Sequence, residues 1–516
     1  FKVGLDGVGL VELTPNAKLQ RQNIVIPDGK PDTAFYDGRA KSDVGATVYS
    51  TATKGPSGEK AIYKDDKPGY LLDVSRDGKW GLFKRYLAHG DNPLLLIDLV
   101  AGTAKQIYPK TGKVAVNSAA FSADGKRAVF DTDAGEEKGL VLAYDLATMT
   151  EVARYVETKP ATAGLDGVVS SKAGNLVAFT VDAGNHTELR VVDAKTLTAK
   201  VAVTMPLGLG GPYMFSDDGK RLTVTWSSPA TPSDIFSIDT ATGAVTPLRK
   251  EIRLGLAELP NVEATISEID SFDHNKIPIN IYQPAKRDTK LPVIVNLHGG
   301  PSSSASIRWS AYARFFLGQG YAWVEPNVRG STGFGRAYEA ADNGPKRLDA
   351  FKDIQSVGEW VGAQPWADTK RIVIFGGSYG GYSVLVGLTR MPGLWRAGVD
   401  ISGITNLKTF MATTTGTIRE VFKLEFGDPD KDAAFLDSIS PLKDVNSITS
   451  PLFVFAGAND PRVPRTEADQ IVVALRTRGI PVEYMVKDDE GHGITRRANN
   501  VEFLARTARF LEHHLK

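Results

Sequence analysis

The chain has 516 residues, 42% of them hydrophobic and 23% charged, with 61 Lys and Arg against 60 Asp and Glu. That length exceeds one ordinary core and predicts two to four domains, while the near-neutral balance gives no basis for a nucleic-acid or membrane-surface partner. The absence of cysteine excludes disulfides, thiolate metal sites and cysteine nucleophiles.

The chain begins with Phe1 rather than Met, as expected if a targeting segment has been removed or residues are missing. Together with the lack of thiols this leans towards a periplasmic or secreted compartment over the cytoplasm. No run of 18 apolar residues is present, so no membrane-spanning helix is expected.

The first half repeats itself. "SRDGKWGLF" from Ser75, "SADGKRAVF" from Ser122, "SKAGNLVAF" from Ser171 and "SDDGKRLTV" from Ser216 start 47, 49 and 45 residues apart. A second marker, an aspartate closing an apolar run, falls at Asp98, Asp145, Asp193 and Asp239, 47, 48 and 46 residues apart. Short alternating strands joined by Asp-Gly or Thr-Gly turns fit one four-stranded unit per repeat. A unit of this size matches a propeller blade, and a solenoid of stacked hairpins is the rival architecture. The spacing predicts a β-propeller over residues 1–255 with about five blades. The recurring aspartates read as acceptors for turn N–H groups, not as calcium ligands.

From Val262 the period changes. Ile277 to Pro284 reads as an edge strand, and Leu291 to Leu297, Gly320 to Gly330, Arg371 to Gly376, Trp395 to Ser402, Pro451 to Asp460 and Pro481 to Val486 supply further strands. Helical spacing runs over 310–320, 348–364, 382–390, 468–479 and 500–515. Alternating apolar strands and amphipathic helices predict a mainly parallel sheet covered on both faces, an α/β domain over residues 256–516.

In "GGSYGGY", Ser378 follows a strand by two glycines and precedes a helix, the setting of a nucleophile elbow in an α/β hydrolase. A serine hydroxyl needs a base, and the base needs an acid to fix its tautomer; the fold expects them in the order Ser, Asp or Glu, His. Of seven histidines only three lie beyond Ser378. His513 and His514 end the terminal helix, which leaves His492 in "DDEGHGI" as the base. Asp460, in "FVFAGANDPRVP" just past a buried strand, is the preferred acid. Asp489 and Glu490 are rivals that read as loop surface. The oxyanion of a tetrahedral intermediate needs preorganised donors. These are expected from the backbone of Tyr379 and of Gly299 or Gly300 in "HGGPSSS", with His298 fixing that loop by hydrogen bonds.

The pieces "HGGP" at 298–301, "NVRGSTGFG" at 327–335, "GGSYGGY" at 376–382, "NDPRVP" at 459–464 and "EGHG" at 490–493 stand in one order over residues 262–516. In this the chain resembles the prolyl oligopeptidase family of serine peptidases, nearest its acylaminoacyl and broad oligopeptidase branches. The resemblance implies cleavage of short peptides, often after proline or another apolar residue, beneath an N-terminal propeller. It implies that Arg462 holds a substrate carbonyl, and that the region from Thr409 to Pro429 contributes Phe410, Met411, Phe422 and Phe426 to the specificity pocket, although these can equally be core. Five blades fall short of the seven or eight usual there, which leaves a reduced propeller or an absent portion open. No paired-glutamate motif for a free N-terminus is evident, so dipeptidyl release is not expected. No cofactor or metal is expected, and a homo-oligomer stays open. A carboxylesterase using the same triad and an inactive propeller-based interaction protein are the alternatives.

Overall fold

The computed structural model describes residues 2–3, 7–14, 18–40, 43–56, 58–87, 90–134, 139–157, 164–251, 253–285, 289–414 and 416–516. His89 lies outside them.

Five four-stranded antiparallel sheets come first. They are β1–β4 (Leu19–Val25, Thr33–Ala40, Thr47–Ala52, Lys60–Lys64), β5–β8 (Gly69–Val74, Trp80–Arg85, Leu94–Asp98, Thr103–Tyr108) and β9–β12 (Val116–Phe121, Arg127–Thr132, Leu140–Asp145, Thr150–Val156). Then follow β13–β16 (Gly164–Ser170, Leu176–Asp182, Thr187–Asp193, Ala199–Val201) and β17–β20 (Leu209–Phe215, Arg221–Ser227, Asp234–Asp239, Val245–Pro247). These are the blades of the propeller.

The repeated sequence marker builds the turn between the first two strands of a blade. Ser75 Oγ donates to Asp77 and accepts from the Trp80 N–H, and the same pair of bonds recurs at Ser122 with Asp124 and Arg127, and at Ser216 with Asp218 and Arg221. The third copy has Ala173 in place of the aspartate, and Ser171 keeps the bond from Leu176. Asp98, Asp145, Asp193 and Asp239 each accept two backbone N–H groups from the next turn. Period-two alternation then puts the second, third and fourth blades between two cores. Phe83, Leu95 and Ile97 face the first blade, whereas Leu82, Leu94 and Leu96 face the third.

The second half is one eight-stranded sheet in the order β21-β22-β24-β23-β25-β26-β27-β28, parallel from β24 to β28. The strands are β21 (Val262–Asp270), β22 (Lys276–Pro284), β23 (Leu291–Leu297), β24 (Ala322–Pro326), β25 (Ala367–Gly377), β26 (Ala397–Ile401), β27 (Leu452–Gly457) and β28 (Val482–Lys487). Helices α1 (Ala311–Gly318) and α9 (Arg497–His514) cover one face. The other face carries α3 (Arg347–Gly362), α4 (Tyr379–Arg390) and α8 (Arg465–Thr477), with the shorter α2 (Arg336–Glu339), α5 (Leu407–Thr413), α6 (Gly416–Phe426) and α7 (Ala433–Ser438) in the connections.

One expectation is corrected here. The segment from Ile277 to Pro284 is not an edge, because β21 pairs with it residue for residue on one side and β24 on the other. The edge is β21, whose "VEATISEID" alternates polar residues outward as an exposed strand does.

The propeller rests on the hydrolase sheet through polar contacts. Asn185 Nδ2 donates to Asn280 Oδ1 at 2.5 Å and its carbonyl accepts the Ile307 N–H at 2.6 Å. Arg336 pairs with Asp133 at 2.8 Å, and the Trp309 N–H reaches Ser227 Oγ at 3.1 Å.

Candidate active site

Four loops meet beyond the carboxyl ends of β23, β25, β27 and β28, where parallel sheets gather their chemistry. Ser378 turns between β25 and α4 with φ 58° and ψ −120°, a left-handed conformation costly for a residue with a Cβ. Its N–H donates to the Ile401 carbonyl at 2.8 Å, which ties the turn to β26. Two glycines make the turn sterically feasible. A Cβ on Gly376 would run into the Gly380 carbonyl, and one on Gly380 into the Leu297 carbonyl. Gly377 is different, because a Cβ there meets nothing closer than 3.7 Å.

His492, on the loop after β28, has Nε2 2.9 Å from Ser378 Oγ and Nδ1 2.7 Å from Asp460 Oδ2. The Asp460 side chain is 1% exposed. Its other oxygen accepts the N–H groups of Arg462 at 2.8 Å and Val463 at 3.0 Å. Burial pushes this carboxyl up, but hydrogen bonds from His492 and from the two N–H groups outweigh it and leave the pKa below the usual aspartate value. An ionised acid therefore faces Nδ1, which favours the tautomer with the proton on Nδ1 and a free lone pair on Nε2.

Two loop contacts hold this register. Asn459 donates its N–H to the Glu490 carbonyl at 3.0 Å and its amide to the Asp488 carbonyl at 2.5 Å. Glu490 is not loop surface. It is 1% exposed, and its carboxylate accepts from Thr495 N–H and Oγ, Arg496 N–H and Asn499 Nδ2. Burial raises its pKa, yet these donors prevail and bring it down to about 2. Four donors converging on one carboxylate explain why a charged residue is buried beside His492, and the local sequence gave no sign of them. Asp489 is exposed and pairs with Arg496 at 3.0 Å.

Gly299 lies against the elbow, where a Cβ on it would stand 3.3 Å from the Gly377 carbonyl and 3.5 Å from Ser378 Cβ. His298 is half-buried, with its ring nitrogens 2.8 Å from the Gly299 carbonyl and 2.9 Å from Ser331 Oγ. Burial lowers its pKa, so this imidazole stays neutral. Tyr379 opens α4, where the first N–H groups have no partner inside the helix.

A cavity of about 430 Å³ opens beside this point, between the two halves of the molecule. Arg39, Tyr70 and Tyr86 line it from the propeller, and Gly300, Ser302, Phe422 and Glu425 from the hydrolase side. Of the four apolar residues expected in a specificity pocket, Phe422 lines this cavity. Phe410, Met411 and Phe426 are fully buried core, with edge-on ring contacts between Phe410 and Phe422 and between Phe426 and Tyr382 and a tilted one between Phe426 and Tyr379. Arg462 is exposed on the loop after Asp460. These propeller residues were invisible to sequence reasoning, because nothing local in the chain reports what stands opposite it across a domain interface. Among the described residues, no group of three metal-ligating side chains occurs and no helix is long and apolar enough to cross a membrane.

A profile of the prolyl oligopeptidase family matches residues 307–516. The dipeptidyl aminopeptidase BIII of Pseudoxanthomonas mexicana is 33% identical over 404 residues, 75% of this chain and 58% of that protein. Dipeptidyl peptidase family member 6 of Caenorhabditis elegans is 35% identical over 229 residues, 43% of this chain and 31% of that protein. The chain thus spans less than two thirds of the length of these relatives. A crystal structure of puromycin hydrolase superposes with a TM-score of 0.84 at 19% identity, covering 97% of this chain and 80% of that one, a likeness of fold. The matched region, which carries Ser378, Asp460 and His492 but begins after the Gly299–Gly300 loop, thus places residues 307–516 in the prolyl oligopeptidase family of serine peptidases.

Proposed function

We propose that this protein hydrolyses peptide bonds of short peptides through an acyl-enzyme on Ser378, with His492 as the base and Asp460 as the group that orients it. The observation that carries this is the continuous hydrogen-bonded line from Ser378 Oγ through the imidazole to the buried Asp460 carboxylate. As Oγ attacks the scissile carbonyl carbon, its proton passes to His492 Nε2. The carbonyl oxygen, now anionic, takes hydrogen bonds from the N–H of Tyr379 and of Gly299 or Gly300. Collapse expels the amine, which takes the proton from Nε2, and leaves an ester on Ser378. Water then attacks that ester, giving its proton to Nε2, and the acid product leaves as Oγ regains the proton.

The cavity supports the substrate class. A volume of about 430 Å³ lies at the low end for ligand sites and suits a short chain, and Phe422, Tyr70 and Tyr86 supply apolar wall for a proline or other apolar residue before the cleaved bond. Arg462 is proposed to hold a substrate carbonyl. The names of the two curated relatives favour a second reading, release of dipeptides from a free N-terminus. Digestion of a peptide library with free and acetylated N-termini, read by mass spectrometry, separates the two. Cleavage of acetylated peptides after apolar residues fits the first reading, dipeptides from free N-termini only fit the second, and hydrolysis of simple acyl esters with no peptide cleavage contradicts both.

A further inference from the structure

One buried arginine that takes no part in the chemistry above touches one side of the proposed oxyanion hole directly and reaches the other through a glutamate. Arg347 opens α3 and is 0% exposed. Its Nη1 donates to the Tyr379 hydroxyl at 2.6 Å and pairs with Asp342 at 2.8 Å. Its Nη2 donates to the Glu425 backbone carbonyl at 3.0 Å and to the Glu425 carboxylate at 3.1 Å. The same carboxylate accepts from Ser302 Oγ at 2.5 Å through its other oxygen. The guanidinium also lies over the rings of Tyr379, 5.1 Å from the centroid, and Phe426, at 4.4 Å.

The two ends of this chain of contacts are informative. Tyr379 carries one expected oxyanion donor on its backbone, and Ser302 is two residues beyond Gly300 in the loop that carries the other. The elbow and the "HGGPSSS" loop leave adjacent strands, β25 and β23, whose pairing ends at Gly376 and Leu297, so beyond that point their relative position depends on packing and side-chain contacts. A donor must stand about 2.7–3.1 Å from the developing charge, so two independently mobile loops would lose much of the benefit. Arginine suits the bridging task because its planar fork fixes several acceptors at set angles, which a lysine ammonium does not. Asp342 sits over Gly330, where a Cβ would collide with its carboxyl, and the glycine holds φ 97°.

We propose that Arg347 is a positioning residue for the oxyanion hole, holding the Tyr379 elbow and, through Glu425 and Ser302, the Gly299–Gly300 loop to a common anchor. This rests on the serine-peptidase reading.

The arms are tested one at a time, since removing Arg347 would strand Asp342 and Glu425. Tyr379→Phe cuts the elbow arm and Ser302→Ala the loop arm, and neither leaves a buried charge unpaired. Each should lower kcat for a blocked peptide amide about tenfold, short of the ~10²–10³ lost when a donor is removed outright, with KM within about twofold. Affinity for a peptide boronate, which forms a tetrahedral adduct on the serine, should fall by the same factor. Binding of the uncleaved peptide in a Ser378→Ala background should stay within about twofold, and Arg347→Lys should be weaker than either single arm. Unchanged kcat in both arm variants overturns the proposal, as does a fall in kcat with no matching fall in boronate affinity. If the parent protein takes no boronate adduct at Ser378, the serine-peptidase reading fails first and this one with it.

Discussion

Replacing Asp460 by asparagine exchanges one carboxylate oxygen for an NH₂ and tests how the imidazole is held. In the native arrangement Oδ1 accepts from the N–H groups of Arg462 and Val463, and Oδ2 accepts from His492 Nδ1. Asparagine has one oxygen and one NH₂ to place. With the oxygen on the Arg462 and Val463 side, two hydrogen bonds survive and the NH₂ points at Nδ1. The opposite flip would set an NH₂ against two backbone donors in a nearly dry site, so the first orientation is preferred by two hydrogen bonds, about 1–3 kcal/mol. A donor facing Nδ1 obliges that nitrogen to accept, which moves the ring proton to Nε2. His492 would then present an N–H to Ser378 Oγ at 2.9 Å and could not take its proton. The expected loss is about 10⁴-fold in kcat, equivalent to about 5.4 kcal/mol of transition-state stabilisation. The assay is steady-state hydrolysis of a blocked peptide amide by purified Asp460→Asn, with its melting temperature and the rate of fluorophosphonate labelling measured alongside. Labelling should slow in step with kcat while the melting temperature moves by a few degrees. A variant that keeps kcat within tenfold of the parent would refute the tautomer argument.

Ser378→Ala and His492→Ala should each cost several orders of magnitude in kcat and leave a residue of about 10³–10⁴-fold over water, seen by discontinuous product assay; near-normal hydrolysis by Ser378→Ala would remove the assignment. Gly380→Ala should fail to fold or lose at least about 3 kcal/mol in urea unfolding, because its Cβ would enter the Leu297 carbonyl, whereas Gly377→Ala should fold with a near-parental midpoint; equal behaviour of the two would contradict the packing described for the elbow. Glu490 is held down to about 2 from an unperturbed 4.5, so the stability it contributes is present above pH 4.5 and drains away as pH falls from there towards 2. Parent and Glu490→Gln should therefore differ by roughly 3 kcal/mol in unfolding free energy at pH 7, and the gap should close on acidification through that window; a gap independent of pH would count against a buried, hydrogen-bonded carboxylate.

Features that depend on local chemistry were open to reading from the chain. The Ser-x-Asp-Gly turns and the aspartates at 98, 145, 193 and 239 announce themselves because each satisfies backbone donors two to five residues away. The elbow is similar, since a serine in a left-handed turn needs its small neighbours within two positions. Spacing alone also brought Ser378, Asp460 and His492 forward, because few histidines follow the serine and each candidate stands just past a strand. Properties set across the sheet were hidden. Phe410, Phe422 and Phe426 share one helical neighbourhood and one chemistry, yet two are core and one faces the cavity, a difference fixed by the propeller's Tyr70 and Tyr86 more than 300 positions earlier. Glu490 looked like surface because its donors come from the following turn and α9, and nothing local marks Arg347, whose partners Tyr379 and Glu425 stand 32 and 78 positions further on. The edge strand was misplaced by one because β21 is too polar to stand out.

The most direct measurement is peptide mapping after reaction of the native protein with a fluorophosphonate, with residual peptide hydrolysis followed in the same samples. The account predicts a single adduct on the tryptic peptide carrying Ser378, forming in proportion to the loss of hydrolysis. Peptide cleavage that persists once that serine is fully modified would contradict it.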